Sequence, residues 1–136
     1  MDTLVTVIIP FYGVEKYIAA CAESLMRQTW EATQFIFVND GTRDRSREVL
    51  SEVLACYPGR NTRIVDQENT GLPRARAAGM PYAAGKYIMH VDSDDWVEED
   101  AVERLVRFAE EKDADLVFCD FWKEYGSHRK LDRERD

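Results

Sequence analysis

The chain alternates between two hydrophobic rhythms. Residues 4–10, "LVTVIIP", form a short, nearly continuous apolar run closed by proline. Such a run predicts a strand buried on both faces. Val14, Tyr17, Ile18, Cys21, Ala22, Leu25 and Met26 then recur at helical spacing, which predicts an amphipathic helix. "QFIFV" (34–38) is a second strand and "NDGTRDRS" a turn. Val49, Leu50, Val53, Leu54 and Tyr57 mark a second helix, which "PG" ends. "TRIVDQ" (62–67) reads as a third, weaker strand. "GLPRARAAGMPYAAG" reads as a helix rich in small residues, with a kink or an early end at Pro81, because a helix-interior proline removes a hydrogen bond and clashes with the preceding turn.

"KYIMHV" (86–91) is a fourth strand. Residues 98–112 form a helix with acids in the first turn and a lysine in the last, matching the helix dipole. A fifth strand is expected at 114–121. The tail, residues 122–136, alternates charges of both signs and reads as a solvated helix or frayed end, with contact to a partner or to a further segment as the alternative. Strands and helices alternate from start to finish. The predicted fold is α/β, an open, mostly parallel, Rossmann-like sheet with helices on both faces.

Composition narrows the picture. At 136 residues the chain suits one domain with one core. A hydrophobic share of 45% excludes a disordered chain. The net charge of -8 argues against binding to nucleic acid or to an anionic membrane, but not against a phosphate ligand reached through a bound dication. Cys21, Cys56 and Cys119 are few, far apart and set among apolar residues, so buried free thiols in a reducing, cytoplasmic setting are expected. No basic leader precedes the first strand, so no signal peptide is expected. No apolar run approaches the roughly 20 residues that span a bilayer.

The conspicuous polar residues follow strands. Pro10, Phe11, Tyr12 and Gly13 follow the first; Asn39, Asp40, Gly41 and Thr42 the second; Asp66, Glu68, Asn69 and Gly71 the third; Asp92, Ser93, Asp94 and Asp95 the fourth. In open α/β sheets ligands bind beyond the carboxyl ends of strands, where strand order reverses, so four loops are expected to meet on one rim. Neither GxGxxG nor GxxxxGK[ST] is present, which excludes the dinucleotide and P-loop fingerprints. A receiver-type phosphotransfer site needs acids directly after the first strand, where this chain has "PFYG". Asp92 and Asp94, one residue apart, could offer two hard oxygen ligands to Mg2+ or Mn2+. A solvated loop leading into a helix, with Asp95 as cap and Glu98 to Asp100 as dipole partners, would look the same.

The combination is more specific than any part. "VIIPFYGVEKYIAACAESLMRQTW", "FIFVNDGTRDRS", "ENTGLPRARAAGM" and "GKYIMHVDSDDW", in that order, resemble the family 2 glycosyltransferases across residues 3–121. The resemblance implies a GT-A fold and a nucleotide-diphosphate sugar donor, most often a UDP-sugar. It implies that Pro10, Phe11 and Tyr12 flank the nucleobase with Glu15 nearby, and that Asp40 hydrogen-bonds the base. Arg76 would lie near the donor phosphates, Asp92 would face the ribose or sugar, and Asp94 would bind the metal. Each role suits its side chain: a carboxylate accepts from a ring N–H, and a guanidinium fork matches phosphate oxygens.

Some residues depart from the family's usual pattern. Gly13 stands where an asparagine is usual, Asn39 where a first aspartate is frequent, and Pro73 and Ala77 where small polar residues are frequent. Arg74, His90 and Trp96 read as a solvated arginine, a sheet histidine and a loop-packing residue. The resemblance further implies an inverting transfer to a glycan or lipid-linked hydroxyl, with peripheral membrane association of a full-length protein at the inner face of the membrane as one setting. A catalytic base well downstream of the acidic segment is usual, and none is assigned in this chain. The expectation is therefore that residues 1–121 are the donor-binding part of a longer enzyme, with 122–136 starting an acceptor region. A non-catalytic nucleotide-sugar-binding or assembly module is the alternative.

Overall fold

The computed structural model describes residues 2–112, 120–125 and 128–133. Four parallel strands form the main sheet: β1 (Val5–Phe11), β2 (Thr33–Asn39), β3 (Asn61–Asp66) and β4 (Tyr87–His90), in the order β3-β2-β1-β4. Between them run α1 (Ile18–Met26), α2 (Ser46–Ala55) and α3 (Leu72–Gly79), and α4 (Ala101–Lys112) follows β4. The predicted parallel α/β sheet is therefore present.

Hydrophobic continuity tracks strand position. All seven residues of β1 are buried, as befits a central strand covered on both faces, whereas β3 and β4, at the ends of the strand order, alternate in exposure. The weaker apolar signal of residues 62–67 reflects that outer position. The two faces of β1 feed two cores. Val7, Ile9 and Phe11 pack with Phe35, Phe37 and the inner stripes of α1, α2 and α4. Ile8 packs with Ile36, Val38 and Ala75 of α3. Complete burial of one such Phe or Ile contributes about 1.5–3 kcal/mol. A Cβ added to Gly79 would lie 3.0 Å from the Ile8 Cγ2 and 3.2 Å from the Val38 Cγ2, so α3 approaches the sheet closely at its last turn.

Several boundaries differ from the sequence reading, each for a local reason. Helix α3 stops at Gly79, and Pro81 sits in a single 3-10 turn, Met80–Tyr82; the early end expected there is observed. Helix α1 begins at Ile18 rather than Val14; before it, Val14 O accepts from Tyr17 N and Ile18 N (2.8 Å each), and the amides of Val14 and Glu15 donate to Ser46 Oγ (2.9 Å) and Asp44 Oδ2 (3.3 Å) of the neighbouring loop. Helix α4 begins at Ala101 rather than Glu98 because the carbonyls of Glu98 and Glu99 accept from Gln28 Nε2 (2.7 Å) and Thr29 N (2.8 Å). The tail expected as helix or frayed end instead contains β5 (Asp120–Tyr125) paired antiparallel with β6 (His128–Arg133). Most of the strand expected at 114–121, and Cys119 with it, lies outside the described residues. Cys21 is buried as expected, but Cys56 is exposed: it follows the last turn of α2 on the side away from the core.

Candidate nucleotide-sugar site

Strand order fixes where the loops meet. The chain runs outward from β1 through β2 to β3, then returns to place β4 on the other side of β1. The order therefore reverses between β1 and β4, and ligands of open α/β sheets bind beyond the carboxyl ends of the strands at such a point. Tyr12 follows β1 and Asp92 follows β4, so both lie at that end of the sheet.

Hydrogen bonds bind the loops to one another. Asp40 N donates to Phe11 O at 3.0 Å, joining the ends of β1 and β2. Gly13 N donates to Thr42 Oγ1 at 2.9 Å, and Arg45 N donates to Glu15 Oε1 at 3.0 Å. Asp44 anchors this seam: its Oδ1 accepts from Thr42 Oγ1 (2.7 Å), Ser46 N (3.0 Å) and Ser46 Oγ (2.6 Å). Burial alone would raise the Asp44 pKa, but these bonds outweigh it and bring the carboxyl down to about 2. Asp44 and Ser46 were not singled out from the sequence, although an acid followed two residues later by a serine at a helix start is a capping signal.

The candidate nucleobase residues separate by exposure. Pro10 and Phe11 are buried, and the Phe11 side chain belongs to the core. Tyr12 is 43% exposed and Glu15 is also exposed, so these two present side chains at the rim. Asp40 is 1% exposed. Its Oδ1 accepts from Gln67 Nε2 (3.0 Å), Thr70 N (2.9 Å) and Thr70 Oγ1 (3.2 Å), and its Oδ2 from Gly71 N (2.9 Å) and Asn69 Nδ2 (3.2 Å). The carboxylate thus clasps the loop that follows β3. Burial pushes its pKa up, yet the bonds from Gln67, Thr70 and Gly71 hold it below the ordinary value.

Arg76 on α3 pairs with Asp92, Nη2 to Oδ1 at 2.9 Å. Asp92, Asp94 and Asp95 each offer a carboxylate oxygen, and these atoms lie within 4.8 Å of one another. Around a magnesium-sized ion adjacent ligand oxygens stand about 3 Å apart and opposite ones about 4.2 Å, so the three carboxylates would draw together to share one small dication. Of the three acids, Asp92 is the one that Arg76 pairs with. The field of the turn reaches the core: the Cys21 thiol, buried beneath, is pushed up to about 12 by burial first and then by the charges of Asp95, Asp94 and Asp92. Trp96, half-buried, lines an open cleft of about 600 Å³ between α1 and the segment after the turn. His90 and Arg74 are exposed.

A parallel sheet whose strand-end loops join on one rim, with clustered carboxylates at the reversal point, defines a nucleotide-diphospho-sugar transferase fold of GT-A type. Solved structures agree. The chain superposes on Staphylococcus aureus TarS 1-349 in complex with UDP-GlcNAc with a TM-score of 0.72 and 26% identity, covering 79% of this chain and 31% of that one. It superposes on the mannosyltransferase PcManGT from Pyrobaculum calidifontis, in complex with GDP-Man and Mn2+, with a TM-score of 0.76 and 18% identity, covering 80% and 33%.

The family model for glycosyl transferase family 2 matches residues 6–135, and the chain belongs to that family. It is 42% identical over 131 residues to the uncharacterized glycosyltransferase EpsJ of Bacillus subtilis, covering 95% of this chain and 37% of that protein. It is 35% identical over 131 residues to a chondroitin synthase of Escherichia coli, covering 96% and 18%. The chain thus spans well under half the length of either relative. Among the described residues, no helix is long and apolar enough to cross a membrane.

Proposed function

We propose that this chain carries the donor-binding part of a metal-dependent, inverting glycosyltransferase that uses a UDP-sugar and transfers it to a hydroxyl on a glycan or lipid-linked acceptor. The observation that carries the reading is the pairing of Arg76 with Asp92 beside Asp94 and Asp95 at the strand-order reversal. The complex of TarS with UDP-GlcNAc supports a uridine donor, and the names of the relatives support a polysaccharide product.

In this reading Tyr12 offers an aromatic face to the nucleobase at the rim, with Glu15 beside it. The buried Pro10 and Phe11 fix the backbone from which Tyr12 projects. Asp40 reaches the base only if Gln67 or Thr70 gives up its bond, since the carboxylate is otherwise fully engaged. Arg76 is half-buried and held by Asp92, so its remaining N–H groups are preset toward phosphate oxygens. Asp92 orients the arginine through Oδ1 and keeps its second oxygen for a sugar or ribose hydroxyl. Mg2+ or Mn2+, held by Asp94 with help from its neighbours, would supply positive charge against the departing diphosphate.

Calorimetry with UDP tests the proposal. Binding should strengthen when Mn2+ is added and weaken in Asp94→Ala by at least about tenfold, the loss of roughly one 1.4 kcal/mol increment. Metal-independent binding that is unchanged in Asp94→Ala would overturn the metal role, and absence of UDP binding with or without Mn2+ would overturn the donor.

A further inference from the structure

Beneath the acidic turn lie Cys21 and Ser24 on α1 and Gln28 two residues past its end. All three meet the segment that runs from the turn into α4. Cys21 Sγ lies 3.8 Å from Asp92 O. Ser24 Oγ accepts from Val97 N at 3.2 Å. Gln28 is fully buried and its side chain makes three hydrogen bonds: Nε2 donates to Ser24 O (3.0 Å) and Glu98 O (2.7 Å), and Oε1 accepts from Val102 N (3.0 Å).

The geometry at Gln28 is specific. Had the helix begun at Glu98, Val102 N would bond directly to Glu98 O. The Gln28 amide stands between those two groups, accepting from one and donating to the other as a peptide unit would. It caps an orphan N–H in the first turn of α4 and sets where that helix begins. A flipped amide would aim NH₂ at an N–H and oxygen at a carbonyl, so the network admits one orientation. Gln28 is itself anchored: Arg60 Nη2 donates to its backbone carbonyl, and Arg60 Nε donates to Met26 O at 2.9 Å.

We propose that Gln28 is a positioning residue for the metal-binding turn, holding the chain downstream of Asp95 so that the carboxylates of Asp92, Asp94 and Asp95 stay gathered. The inference rests on the metal reading of that turn. Mutual repulsion of the three acids favours splaying the segment. Upstream it is fixed to the sheet by Val91 N donating to Ile8 O at 3.1 Å. Downstream, the half-buried Ser24 takes up Val97 N, and the buried Gln28 takes up two backbone groups, Glu98 O and Val102 N.

The test compares Mn2+ binding, measured by titration in the presence of UDP, across four proteins. In Gln28→Met a side chain of similar reach lacks the amide. In Ser24→Ala the acceptor for Val97 N is removed with little change of volume. Leu50→Ala, a cavity in α2 without a contact to the acidic segment, serves as the control for general loss of stability. Each is measured well below its own melting temperature. Outer partners that orient metal ligands typically matter by about 10–100-fold in affinity. Gln28→Met should therefore lose at least about tenfold in Mn2+ affinity and Ser24→Ala a smaller factor, while Leu50→Ala stays within about twofold of the unmodified chain. Should Gln28→Met not fold, the loss in Ser24→Ala relative to Leu50→Ala decides. Unmodified protein that binds no Mn2+ would overturn the metal reading and this inference together. Unmodified protein that binds Mn2+, with equal affinity in Gln28→Met and Ser24→Ala, would overturn this inference alone, as would an equal loss in Leu50→Ala.

Discussion

The amide of Asn39 donates to Asp66 Oδ1 at 3.0 Å while its own oxygen accepts from Thr42 N at 2.9 Å. This one side chain therefore links the end of β2 to the end of β3 and to the turn that leads into α2. Only an amide can serve both partners, since a carboxylate has nothing to donate to Asp66. The departure from the aspartate frequent at this place thus has a local cause. Asp66 is also held by Arg47 at 2.8 and 2.9 Å, and this ion pair leads the causes that keep its pKa below the ordinary value.

Asn39→Asp should destabilise the chain by about 1–3 kcal/mol at neutral pH, because it sets a second carboxylate against Asp66 and deletes a buried donor. Urea denaturation at pH 7 and at pH 4 checks this. The deficit should shrink at the lower pH as one of the two acids takes a proton, and a pH-independent deficit would contradict the like-charge explanation.

Asp40 predicts a pH dependence of its own. Its folded pKa lies below the ordinary carboxylate value, so folding is favoured by the ionised form. That stability is complete above the unfolded pKa, about 3.9, and is lost as the pH falls through the lower folded value. Asp40→Ala leaves the Thr70 and Gly71 amides without their acceptor and should cost about 2–4 kcal/mol at pH 7. Its acid limb should be shallower than that of the unmodified chain in denaturant melts between pH 2 and pH 5, since this carboxylate no longer contributes.

Two glycines at the rim should behave oppositely. Gly41 has φ +72°, and an added Cβ would lie 2.7 Å from Asn69 N, a backbone atom that cannot yield cheaply. Gly13 has φ +64° with open space around it. Gly41→Ala should lower stability by about 2 kcal/mol or more, combining positive φ with the clash. Gly13→Asn should stay within about 1 kcal/mol, because asparagine tolerates the left-handed region. Thermal melts of the two variants distinguish them, and comparable losses would refute the packing argument at Gly41.

Arg76→Ala should weaken UDP binding in Mn2+ by about tenfold, and Arg76→Lys should recover only part of it, since lysine lacks the planar fork. Arg74→Ala, two residues away and exposed, should leave affinity within about twofold. Calorimetry of the three variants checks the assignment, and equal effects at positions 74 and 76 would reduce the role to general positive charge.

Thiol reactivity gives an independent view of the acidic turn. The Cys21 thiol is held protonated by burial and by the charges of Asp95, Asp94 and Asp92, and only thiolates alkylate readily. Iodoacetamide at pH 8 should therefore modify the exposed Cys56 in the native protein and spare Cys21, as located by peptide mapping. Labelling of Cys21 at a rate similar to Cys56 would mean that the turn opens on the timescale of the reaction.

Much of the fold was legible because its signals are local. A strand covered on both faces needs a continuous apolar run, and "LVTVIIP" supplies one. A helix on a sheet needs a stripe at period 3.6, and residues 18–26 and 46–55 carry it. Pro81 ended α3 for a steric reason that acts within one turn of the chain. The acidic cluster was equally plain, since clustered acids after a strand stand out in any sequence.

Other features depend on what lies across space. From the sequence Asp40 is expected to hydrogen-bond the nucleobase, and its commitment to Gln67, Thr70 and Gly71 comes from a loop nearly thirty residues away. Gln28 reads as a polar residue ending a helix, yet it is buried and takes the place of a peptide bond at the start of α4. The tail's alternating charges were read as a solvated helix or a frayed end, and the strand pairing there is neither. Hydrophobic period and backbone sterics are written residue by residue, so the chain alone determined its elements, their order and the polar stations between them. Which donor meets which acceptor depends on strands brought side by side, and only the tertiary structure decided that.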